Sequence, residues 1–103
     1  MEFHPSQIPV SKTFEITDEY QVTDVASEMV KSGFNVQSGA FRVLMTKDKK
    51  EARKIGFTIM NELNFGLRKT NQERDVRYWI YIYDKEHYAM VLISSKVFQE
   101  LGF

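Results

Sequence analysis

Between Asp48 and Gly66 the residues Ala52, Ile55, Gly56, Ile59, Met60 and Leu63 recur at spacings of three and four. That spacing puts them on one side of an α-helix, which must bury its apolar stripe against another layer. Asp48 with Glu51 three residues on gives the helix a capping-box start, and Gly66 is its expected stop. A second stripe, Val22, Val25, Ala26, Met29 and Val30, predicts a shorter helix ending at about Ser32, with Gly33 behind it. Thr17 is its expected N-cap, with Asp18 and Glu19 in the first turn, where carboxylates meet the positive end of the helix dipole.

The remaining apolar segments read as strands. Residues 12–16 carry Phe14 and Ile16 on one side, and residues 34–37 and 41–46 flank Ser38-Gly39 as a predicted hairpin. Residues 77–83 and 88–94 are rich in aromatic and branched side chains and are separated by the four-residue loop 84–87. A closing helical turn over 95–101 would tuck Val97, Phe98 and Leu101 inward. Pro5 and Pro9 make residues 1–11 an extended arm ahead of one domain over 12–103. The expected class is α+β, a two-layer sandwich with two amphipathic helices on one face of a mostly antiparallel sheet. In strand order this is the ferredoxin-like β-α-β-β-α-β-β arrangement.

The stretch GAFRVLMTKDKKEARKIGFTIMNELNFG, residues 39–66, is similar in layout to the third strand and second helix of RNA-recognition-motif domains. The resemblance implies single-stranded RNA stacked on sheet aromatics, a role that Phe41 alone would carry here. FNVQSGAF, residues 34–41, resembles the opening of SPOR peptidoglycan-binding domains, which share the ferredoxin-like fold. Both likenesses bear on the fold, and neither places the chain in its family.

Chemistry-bearing patterns are sparse. The absence of cysteine from 103 residues excludes disulfides, zinc–thiolate sites, iron–sulfur clusters and thiol nucleophiles. No glycine-rich phosphate loop and no GxSxG elbow is present. His4 and His87 are far apart in sequence, and Asp84, Glu86 and His87 are adjacent turn residues, so no metal, cofactor or catalytic site is expected. No apolar run is long enough for a membrane span, and MEFHPSQIPV lacks a signal-peptide layout, so a soluble cytoplasmic protein with no membrane contact is expected.

Charge is more informative in its distribution than in its sum, which is zero. Residues 1–41 hold two Lys or Arg against six Asp or Glu, whereas residues 42–77 hold ten against five. On the longer helix Lys50, Arg53, Lys54 and Phe57 face away from the apolar stripe, and residues 68–75, with Arg68, Lys69 and Arg74, form an expected polar loop. Along residues 77–83, Tyr78, Ile80 and Ile82 alternate with Arg77, Trp79, Tyr81 and Tyr83. If the isoleucine side packs on the helices, the other side is an aromatic ladder able to stack bases, to form a dimer interface, or to be covered by the arm and closing turn.

The sequence therefore predicts a small non-catalytic regulatory protein that contacts single-stranded nucleic acid through the basic helix face and the aromatic strand. The alternative is a protein-binding adaptor or inhibitor, homodimeric through the aromatic sheet face, with acidic and basic patches that complement a partner.

Overall fold

In the computed structural model, which describes residues 3–32, 40–69 and 76–102, the chain forms four strands and three α-helices. They follow as β1 (Lys12–Glu15), α1 (Val22–Lys31), β2 (Ala40–Thr46), α2 (Lys49–Lys69), β3 (Val76–Ile82), β4 (His87–Ser94) and α3 (Ser95–Glu100). The strands make one mixed sheet in the order β1-β2-β4-β3. β1 and β2 are parallel, while β4 is antiparallel to both β2 and β3. β2 and β3 thus point the same way with β4 inserted between them, a split β-α-β unit connected by α2.

Both edges of β2 are taken, one by β1 over residues 41–44 and the other by β4. The hairpin expected between 34–37 and 41–46 is therefore not the pairing of β2 along that length, and residues 34–37 lie outside the described residues.

Two cores form, one on each face of the sheet. On the first, alternation turns Phe41, Val43, Met45, Met90 and Leu92 toward Val22 and Met29 of α1 and Ile55, Ile59, Leu63 and Leu67 of α2. On the second, Ala40, Val91 and Ile93 pack with Ile8 of the arm and with Val97 and Phe98 of α3. Ser94 caps α3 by accepting the Val97 N–H at 3.2 Å, which swings the chain back over that face. The arm is held by a 3-10 turn at Pro5–Gln7 and by the Ser11 N–H donating to the Ala40 carbonyl at 2.9 Å.

Local chemistry departs from expectation at both helices. Asp18, not Thr17, is the cap: its carboxylate accepts the Tyr20 N–H at 3.0 Å and starts a 3-10 turn, Glu19–Gln21, ahead of α1. Thr17 and Asp18 instead donate their N–H groups to Gln21 Oε1. Gly66 does not stop α2, which runs on through Arg68 and Lys69. Its lack of a side chain serves packing, since a Cβ there would lie 3.0 Å from Val30 Cγ2 on α1. Gly56 plays the same part on the other flank, where a Cβ would lie 2.9 Å from Ile80 Cδ1 on β3. A glycine in a helix interior costs about 1 kcal/mol relative to alanine, so close approach outweighs propensity at these two sites.

Gly56→Leu should therefore lower stability by about 1 to 3 kcal/mol through overpacking, whereas Phe57→Ala, one residue along and 69% exposed, should change it by no more than about 0.5 kcal/mol. Urea denaturation of the two variants reads the difference, and equal effects would contradict the docking of α2 described here.

Candidate interaction surface

The ten expected contact residues within the described part of the chain do not converge on one surface. Arg74 is the eleventh and lies outside the described residues. At 100° per residue, Lys50, Arg53, Phe57 and Arg68 share an outer stripe of α2 with Asn61 and Asn64. Lys54 turns toward the α1 side, with Nζ 3.2 Å from Glu19 Oε1. Lys69 borders a groove of about 350 Å³ between α1 and α2, lined also by Lys31, Glu62 and the exposed Phe65. Arg68 and Lys69 belong to the last turn of α2 rather than to a loop, where cations meet the negative end of its dipole.

The strand residues take the last of the three arrangements that the alternation allows, the one covered by the arm and the closing turn. Arg77, Trp79 and Tyr81 do lie on the sheet face opposite the helices, but that face is covered. The Trp79 ring is 5.3 Å from Phe3 of the arm and 5.1 Å from Phe98 of α3. Arg77 donates from Nε to Ser95 Oγ at 3.1 Å, with its guanidinium 5.1 Å above the Phe98 ring. The Tyr81 ring stands 5.4 Å from His4 and its hydroxyl accepts from Arg42 Nε at 3.3 Å. The Arg42 guanidinium lies 5.4 Å from the ring of Tyr83, just past the strand end. Trp79 and Tyr81 are half-buried elements of a second core, so the ladder is not a bare stacking platform. Phe41, the residue placed by the RNA-recognition-motif likeness, is 1% exposed beneath the helices and 5.9 Å from Phe14.

The exposed aromatic and aliphatic surface is on the side expected to be buried. Ile80 packs against α2, but its strand neighbours Tyr78 and Ile82 are 48% and 62% exposed. β3 is an edge strand, pairing among the described residues only with β4. The helix layer over it is α2, and it ends short of the rim. Nothing in residues 77–83 marks the strand as an edge, so the alternation does not tell that only Ile80 of the Tyr78, Ile80 and Ile82 side packs on the helices.

At the far end of the sheet the 84–87 loop is locked by its own side chains. Asp84 Oδ1 accepts the Glu86 N–H at 2.8 Å and contacts His87 Nδ1 at 3.0 Å, while His87 Nε2 faces Glu15 Oε1 of β1 at 3.8 Å. The backbone hydrogen bond from Glu86 and then the bond and charge of His87 hold the Asp84 carboxyl below its ordinary value of 3.8. Among the described residues no group of three or more His, Asp or Glu is arranged to hold a metal ion, and no helix is long and apolar enough to cross a membrane. No protein family, no curated protein and no solved structure matches the chain.

Two outcomes follow. Trp79→Ala should cost about 3 kcal/mol in urea denaturation, because it removes the ring that Phe3 and Phe98 pack on; a loss below about 0.5 kcal/mol would put the ring outside the core. A depressed carboxyl stabilises the fold above its unfolded value and loses that contribution as pH falls through the folded one. The melting-temperature gap between wild type and Asp84→Asn should thus hold at neutral pH and close below 3.8; a gap that widens on acidification would contradict the Asp84–Glu86–His87 arrangement.

Proposed function

We propose that the protein is a non-catalytic binding module that takes a protein partner at the open edge of β3. One observation carries this reading: an edge strand flanked on its helix side by exposed Tyr78 and Ile82. Such an edge presents a row of backbone donors and acceptors, the template used in strand addition. Phe57, 69% exposed on the neighbouring flank of α2, extends the apolar surface. Net neutrality suits a protein partner, since complementary local patches steer association without large overall charge. Covered aromatics on the opposite face support moving the contact from the ladder to the rim. The split β-α-β unit of β2, α2 and β3, with β4 between, supports a ferredoxin-like reading of this half of the fold.

Peptide display on the immobilised protein, followed by amide chemical-shift mapping, tests the proposal. Selected peptides should shift the Val76–Ile82 amides, and Tyr78→Lys with Ile82→Lys should abolish their binding with a melting temperature within about 4 °C of wild type. Peptides that map to the groove between α1 and α2, or binding that survives both lysines, would contradict it.

A second reading, nucleic acid lying along α2, is favoured by the stripe of Lys50, Arg53, Lys54 and Arg68, which contains no carboxylate. Anisotropy of labelled oligonucleotides at about 50 and 200 mM salt decides it, because phosphate-dominated binding weakens steeply over that range. Salt-sensitive binding lost in Arg53→Glu with Arg68→Glu would support it; no binding at the lower salt would dismiss it.

A further inference from the structure

We infer that the segment docking on β3 is extended and acidic as well as apolar, adding to the sheet as a fifth strand whose carboxylates meet the outer flank of α2. This rests on the reading of β3 as the docking edge and names the chemistry of its occupant. The rotation of α2 is fixed by three contacts. Gly66 faces Val30 of α1 and Lys54 reaches Glu19 just ahead of α1, while Gly56 faces Ile80 of β3. At 100° per residue, turning past Gly56 away from α1 brings up Lys49 and Leu67, then Met60, Arg53, Asn64, Phe57, and last Lys50 together with Arg68. Lys49, Met60 and Arg53 overlook the rim of the sheet, Lys50 and Arg68 lie further round toward the back of the helix, and the whole arc carries four cations without one carboxylate.

Each group on that flank has a use for an acidic strand. Lys50, Arg53 and Arg68 have no ion-pair partner among the described residues, unlike Lys54, and Arg77 on the other face is already engaged by Ser95 and Phe98. Asn64 Oδ1, on the same arc, is buried with no hydrogen-bond partner among the described residues. Tyr78 and Ile82 offer apolar contact beside the backbone edge, and the exposed Phe57 lies further round α2 between Arg53 and Lys50. A second copy fits less well, because pairing β3 with its own symmetry mate sets two cationic helix flanks side by side. Nucleic acid would meet the cations but would leave the strand's backbone groups unpaired.

The experiment uses the whole protein and three synthetic peptides of about eight residues, sharing a Val- and Ile-rich centre flanked by Glu, by Lys or by Gln. Titration is followed by fluorescence anisotropy, with amide hydrogen exchange locating the peptide. The Glu peptide should protect β3 amides and bind about tenfold or more tightly than the Lys peptide, with the gap shrinking at high salt. Lys50→Glu with Arg53→Glu should reverse the preference, which a merely unfolded variant could not do. Equal binding of the Glu and Lys peptides at β3 would overturn the acidic partner while leaving the docking edge standing. Absence of β3 protection by any of the three overturns the inference, and the docking edge is then judged separately by the display selection. Self-association in sedimentation that Ile82→Lys abolishes would give the edge to a second copy, and capture of an oligonucleotide along α2 without Glu-peptide binding would give the flank to nucleic acid.

Discussion

Burial of β4 on both faces is the constraint on which the rest of the molecule depends. Residues Ala89, Met90, Val91, Leu92 and Ile93 are all 0% exposed, so the sheet needs a lid on each side. One lid is the pair of amphipathic helices. The other is assembled from short pieces, the arm with Phe3 and Ile8 and the closing helix with Val97 and Phe98. Because the second lid has no long helix, it relies on aromatic rings, and Trp79, Phe3 and Phe98 meet edge-on or tilted at 5.1 to 5.4 Å.

That arrangement decides which surface of the sheet stays exposed. The sequence pattern offers Trp79 and Tyr81 as an outward ladder, yet closing the second core takes them inward. With both faces covered, the sheet backbone left unpaired among the described residues is at the edges. β1 is a four-residue edge, whereas β3 extends over seven residues and carries Tyr78 and Ile82 beyond the reach of α2. The proposed function therefore follows from where the lids stop.

Much of the fold was legible in the sequence because periodicity reports burial directly. The stripes from Val22 to Val30 and from Ala52 to Leu63 each gave a helix, and the aromatic and branched runs gave β3 and β4. A further signal was present in residues 89–93, five apolar residues without polar alternation, which is what a strand covered on both faces requires. Pairing was not legible. Parallel β1–β2 contact and the insertion of β4 between β2 and β3 depend on long-range packing that no local residue choice records. Gly66 shows the same limit at one position, since a glycine that would stop a helix and a glycine that lets one helix approach Val30 look alike in sequence. The basic stripe of α2 was readable, but its position beside an open edge was not.

The sheet is closed on both faces and, among the described residues, open along β3. Residue-resolved hydrogen exchange on the free protein tests it most directly. Exchange should be slowest in β4, with alternating protection in β3 as successive N–H groups point toward β4 or outward, and intermediate protection in β2. Uniform protection along β3 equal to that of β4 would show the edge already covered, and would contradict an open docking edge there.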